Sequence, residues 1–150
     1  MVTVIDQHTW FGPATRAWAL RVDDGGRLDA SFGDGGIQEV DDVRGCFDIA
    51  RDGGDYVLAC ASLADRPALR RLGATGRAVA WASGARAEAP TAPARFVVRT
   101  LARDSVGRWV VVGPVSASYN DVHAAVAAVR FLPDGSHDRT YGTAGVTVFL

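Results

Sequence analysis

Lysine is missing from this chain altogether, and all 16 of its cationic side chains are arginine. Against 17 acidic residues they leave a net charge of −1, so there is no basic field to draw in nucleic acid. Arginine without lysine, beside abundant alanine, has the mark of a GC-rich coding sequence rather than of a selected basic surface. Apolar runs are short. None approaches the roughly 20 residues that a membrane-crossing helix needs, so no membrane partner is expected. Met1–Ile5 passes into Asp6-Gln7-His8 without the basic start and long apolar core of a secretory leader. The two cysteines, Cys46 and Cys60, have no metal-ligand spacing. They fall in neighbouring expected strands, where buried free thiols rather than a disulfide are the expected state. No serine or cysteine nucleophile signature occurs, and Gly33-Asp34-Gly35-Gly36 lacks the lysine and the helix of a phosphate loop. Nothing implies a cofactor. No metal is expected either, because His137 sits inside a turn motif, His8 and His123 fall in different repeat units, and Asp23, Asp24, Asp29 and Asp34 lack the spacing of a calcium loop.

What the chain does contain is repetition, within 150 residues that suffice for one domain with a real core. The stretch from Arg21 to Ile37 returns without a gap, 109 positions later, as Arg130 to Val146. Shared landmarks are Gly26 with Gly135, Asp29 with Asp138, Phe32-Gly33 with Tyr141-Gly142, and Gly36 with Gly145. An offset of that size is about two periods of a stacked or radially arranged unit. A worn copy lies between: Arg70-Arg71-Leu72-Gly73-Ala74-Thr75-Gly76 aligns with Val129 to Gly135, whereas Ala82-Ser83 stand where the others have an aromatic-glycine pair. The middle copy is therefore expected to keep its strand and first turn and to lose its second. Upstream, Ala50 to Cys60 matches Arg103 to Gly113.

These segments read as hairpins, because short β-branched or aromatic runs are bounded by Asp, Gly and Pro. Strands are expected at Val2–Ile5, Trp18–Val22, Ile37–Val40, Cys46–Ala50, Tyr56–Ala61, Ala68–Leu72, Ala78–Ala82, Phe96–Thr100, Trp109–Val112, Ala127–Leu132 and Val146–Phe149. Gly25-Gly26, Gly53-Gly54 and Asp134-Gly135 suit turns that need positive φ. Asp29 and Asp138 precede the second turn, where a carboxylate accepts backbone N–H groups. Alanine-rich Val122–Arg130 competes as helix, but the repeat assigns its second half to a strand and leaves at most a helical turn near Asp121–Ala125.

The pattern of a strand, then (P)DG-x-x-D-x-x-(F/Y)G-x-x-G-(V/I), resembles the delta-60 repeat family, bacterial tandem repeats of β-propeller-like blades. Its carriers are Asp134-Gly135, Asp138 and Tyr141 to Val146 in the last copy, and Gly26, Asp29 and Phe32 to Ile37 in the first. The resemblance implies an all-β fold of three blade-like antiparallel units in a propeller-type array, at approximately 1–54, 55–106 and 107–150. It also implies a secreted or cell-surface setting and a module that binds or displays rather than catalyses. Three units of four short strands also fit a β-trefoil or other small closed barrel. Fewer than four blades do not ordinarily close a propeller, so self-association or packing against neighbouring repeats is expected.

Function on such scaffolds belongs to loops outside the shared motif. Two loops qualify and are equivalent across the 109-residue offset, at 6–13 and 116–123. The first offers His8, Trp10 and Phe11, and the second Tyr119, Asn120, Asp121 and His123. Aromatic rings beside imidazole, amide and carboxylate groups suit a glycan or the edge of a protein ligand. The catalytic alternative is a glycoside-acting enzyme using Asp6 and Asp121, one carboxylate from each of the two equivalent loops.

Overall fold

The computed structural model describes residues 2–7, 16–90, 92, 96–115 and 125–149, residues 2–7 by their backbone. Among the described residues ten strands form three antiparallel sheets, and none of these sheets closes into a barrel. No helix occurs among the described residues. The first sheet holds β1 (Val2–Gln7), β2 (Arg16–Arg21) and β3 (Ile37–Val40) in that order. The second holds β4 (Val43–Asp52), β5 (Asp55–Ser62) and β6 (Pro67–Leu72). The third is four-stranded, ordered β10-β9-β8-β7, from β7 (Thr100–Arg103), β8 (Trp109–Val115), β9 (Ala125–Phe131) and β10 (Val146–Phe149).

The repeat maps onto this topology strand by strand. β2 and β3 stand to each other as β9 and β10 do, with Leu20 opposite Ile37 and Val129 opposite Val146. After β2, β6 and β9 comes the same bridge: Val22 to Leu28, Leu72 to Ala78, and Phe131 to His137. Each sheet changes to the next after the repeat motif, at Asp41-Asp42 and between Ala89 and Phe96. The turn at Gly53-Gly54 and the turn before Trp109 therefore lie inside single sheets, and units counted from those turns begin at a sheet's inner strand.

Two expected strands differ from the structure. Ala78–Ala82 forms only the bridge at Ala78; the strand equivalent to β3 and β10 shrinks to 87–89, where Leu69 N–H donates to Ala87 O and Ala89 N–H to Pro67 O. Phe96–Thr100 becomes a lead-in to β7 rather than a full strand, joined to β8 through Val97 N–H to Pro114 O and Arg99 N–H to Val112 O. The expected helical turn near Asp121–Ala125 lies outside the described residues except for Ala125, which begins β9.

The second sheet is sandwiched between the other two. Along β5, Tyr56, Leu58 and Cys60 point into a cluster with Ala17, Ala19, Phe32 and Val40 of the first sheet. Val57 and Ala59 point the other way, into a cluster with Trp109, Val111, Val129 and Phe131 of the third. Burial on both faces explains why Tyr56–Cys60 is a continuous apolar run rather than an alternating one. Irregular register in β4, between Cys46 and Asp48, accompanies a second link: Asp48 Oδ2 accepts from Leu101 N–H at 2.7 Å and from Thr100 Oγ1 at 3.0 Å. Asp52 bridges sheets likewise, meeting both Arg71 and Arg103.

Cys46 and Cys60 are directly paired across β4 and β5 and form a disulfide, which corrects the expectation of free thiols. Their strands are neighbours in register, so the two side chains lie on one face with Cα atoms 3.9 Å apart. Strand order could be read from the sequence, but register could not.

Candidate functional site

Residues of the repeated turn are spent on holding the scaffold together. Asp29 Oδ2 accepts from Arg21 Nε at 2.8 Å and its Oδ1 from Ser31 N–H at 3.0 Å; Asp138 repeats this with Arg130 at 2.8 Å and Thr140 at 3.0 Å. The bonds from Ser31, then that from Arg21, hold the Asp29 carboxyl down at about 2. Burial pushes Asp138 up, but Thr140 and Arg130 more than offset it and leave the group below the usual carboxylate range. Asp134 Oδ1 accepts from Ser136 N–H in the first turn. In the second turn Gly36 and Gly145 donate to the Phe32 and Tyr141 carbonyls, and Gly33 and Gly142 adopt the left-handed conformation that tightens the loop. The arginine at or next to the end of β2, β6 and β9 lies over the turn's aromatic ring: Arg21 over Phe32 at 5.1 Å, Arg71 over Trp81 at 5.6 Å and Arg130 over Tyr141 at 4.4 Å. The middle copy has thus not lost its aromatic; Trp81 supplies it one position before Ala82-Ser83.

These turns also join one unit to the next. Gly33 N–H donates to Thr75 O at 2.8 Å, and Ser83 N–H donates to Asp134 O at 3.2 Å, the same bond one unit on. Beside each, a glycine of the following unit abuts the aromatic. A Cβ on Gly76 would fall 3.1 Å from the Phe32 ring, and one on Gly135 would fall 2.3 Å from the Trp81 ring. Both glycines have positive φ, so glycine is required there for conformation and for room.

The worn copy opens a cleft of about 270 Å³ between β3 and the 78–87 segment. Glu39, Asp41, Asp42, Arg70, Arg71 and Arg86 supply its charges, three of each sign, and Val40, Leu72, Val79 and Trp81 supply apolar lining. Arg70 comes from β6 and donates to the carbonyls of Asp42 at 2.8 Å, Leu69 at 3.0 Å and Asp41 at 3.4 Å. Among the described residues no carboxylate pairs with it directly. Burial, then the nearby Arg86, push its guanidinium down from the ordinary value, against the pull of Asp42 and Glu88. Arg86 pairs with Asp42 Oδ2 at 2.8 Å at the exposed rim. The cleft therefore presents guanidinium donors and carboxylate acceptors side by side without net charge, an arrangement that suits hydroxyl and amide groups rather than an ion.

Sequence reasoning missed this cleft, although one signal pointed to it. Arg70 occupies the register position that Leu20 and Val129 fill in the other copies, a charge where the repeat wants an apolar side chain. The sequence-derived loop residues His8, Trp10, Phe11, Tyr119, Asn120, Asp121 and His123 lie outside the described residues. Asp6 is placed in β1 opposite Ala17 by its backbone, while the described residues do not include Asp121 or the Asp6 side chain. Of the histidines, His137 is described: its Nε2 lies 3.4 Å from Gly145 O, and its ring is 5.9 Å from that of Phe131. Asp23 accepts from Gly25 and Arg27 N–H groups within its own turn. Among the described residues no three His, Cys, Asp or Glu side chains gather as a metal site. No protein-family model matches the chain, and neither does any curated protein or solved structure.

Proposed function

We propose that this chain is a non-catalytic repeat scaffold, a structural or ligand-binding module built from blade-like units of the propeller type. The observation that carries the reading is a division of labour. Side chains that recur from copy to copy are engaged in turn closure and unit-to-unit contact, whereas the cleft lies where the middle copy departs from the pattern. The resemblance to delta-60 repeats, and three sheets stacked face to face, support the same assignment. The Cys46–Cys60 disulfide supports an oxidising, extracytoplasmic setting.

The ligand class is a glycan or the edge of a protein chain. It would be held at the cleft through Arg86, Asp42 and Arg70, with loops 6–13 and 116–123 as a second contact region. Glycan-array screening of the wild type beside Arg86→Ala and Trp10→Ala tests this. Binding that Arg86→Ala abolishes assigns the cleft, and binding that only Trp10→Ala abolishes assigns the loops. No binding by the wild type would leave the scaffold role alone. Turnover of any glycoside that Asp121→Asn abolishes would establish the enzyme alternative instead.

A further inference from the structure

We propose that the two outer sheet faces are the halves of a head-to-tail latch, in which Tyr141 of one copy seats against the Gly26 turn of a second copy of this chain. The inference rests on the reading of the chain as a stack of equivalent units. It adds the partner, the contact residues and the polarity of the contact.

The latch already occurs twice within the chain. Phe32 meets Gly76 and Trp81 meets Gly135, each beside a backbone bond from the second turn of one unit to the first turn of the next. The third aromatic, Tyr141, has its arginine in place but, among the described residues, no glycine turn against it, and it is partly exposed where Phe32 and Trp81 are buried. The Gly142 N–H, equivalent to the donating Gly33 N–H, has no such acceptor among the described residues. At the other end Gly26 has the same left-handed φ as Gly76 and Gly135, yet a Cβ built on it meets nothing within 4 Å. One end has an aromatic knob without its socket, and the other has a socket without its knob.

The flanking faces show the same polarity. Ala17 and Val40 of the first sheet are 0 % and 5 % exposed under the second sheet; their equivalents in the third, Val126 and Phe149, are 43 % and 52 % exposed. In the opposite sense, Val146 is 7 % exposed against the second sheet, and its equivalent Ile37 is 36 % exposed on the outer side of the first. Each outer face thus carries the apolar positions that an adjoining unit covers elsewhere in the chain. The face bearing Val126, Phe149 and Tyr141 corresponds to the one the second sheet covers on the first, and the face bearing Ile37 and Gly26 to the one the second sheet covers on the third. A second copy fits because its first sheet offers the turn that the third sheet lacks. The contact joins two different patches, so it is heterologous and generates rings or open chains of copies.

Sedimentation of the wild type, Tyr141→Ala, Gly26→Asn and an equimolar mixture of the two variants tests this. Asparagine tolerates the left-handed conformation, and its side chain has room within a single copy, so Gly26→Asn is expected to fold. The wild type is expected to sediment as two or more 15.8 kDa chains at tens of micromolar. Each variant alone should associate at least about tenfold more weakly. The mixture should recover a species of two chains and no larger, because it contains one intact knob and one intact socket. A monomeric wild type overturns the proposal, as does a mixture that behaves like its separate components. Unchanged circular dichroism of both variants, and preserved thermal unfolding of Tyr141→Ala in dilute solution, separate loss of the latch from loss of the fold. Glycan binding reports independently on the proposed ligand role, so either reading can fail without the other.

Discussion

Adding one methyl group at Gly135 is expected to cost far more than adding it at Gly26, although the two glycines occupy equivalent turns. Their φ values, 84° and 77°, are nearly the same, so the backbone penalty for alanine in the left-handed region, about 1–2 kcal/mol, applies to both. Only at Gly135 does the new Cβ collide with a buried ring, at 2.3 Å from Trp81 Cδ2 and 2.4 Å from Cγ. Trp81 is held between that glycine and Arg71, so relief requires moving packed groups. Overpacking of this kind costs a further ~1–3 kcal/mol. Gly135→Ala should therefore lose about 2–5 kcal/mol in all and Gly26→Ala about 1–2 kcal/mol. At about 2–4 °C per kcal/mol for a domain of this size, the difference is readable in thermal unfolding and in urea titration. Measurements belong in dilute solution, where copies are apart and the Gly26 turn is open. Equal losses for the two variants would refute the view that the first turn of one unit is a socket for the preceding aromatic. A larger loss at Gly26 would reverse it.

Replacing both Cys46 and Cys60 by alanine should cost about 3 kcal/mol, the loop-closure value for their separation, measured by urea titration, with a steeper slope because the unfolded chain is no longer cross-linked. Asp48→Ala should lose about 1–3 kcal/mol by leaving Leu101 N–H without its acceptor, and calorimetry of the variant checks this. Stability should fall on acidification in two steps. Burial lowers the His137 pKa in the folded state, so stability present above the ordinary 6.5 declines as pH falls through the depressed value. Asp29, held at about 2, contributes stability that is present above the ordinary 3.8 and lost as pH falls towards 2, and Asp138, also lowered, loses its contribution as pH falls below 3.8. His137→Leu, which installs the residue that Leu28 provides in the first copy, should remove the upper step and leave the lower one in pH-dependent unfolding.

By itself the sequence determined the repeated hairpins and their local chemistry. Arg21 to Ile37 and Arg130 to Val146 form equivalent hairpins because hairpin register depends on nearby residues, namely glycines that accept positive φ, carboxylates that bond the next backbone groups, and alternating apolar positions. Most strands were legible for the same reason, and so was the engagement of Asp29 and Asp138 within their turns. Only the tertiary structure decided what each unit faces. Periodicity cannot say that Trp81 replaces the missing aromatic, since its partner Gly135 lies far along the chain. Nor can it say that Cys46 and Cys60 are opposed in register, or that Arg70 lines a cleft with Asp42 and Arg86. Contacts between sheets depend on which faces a stack covers. A pattern along one strand records that a face is apolar, but not which neighbour buries it.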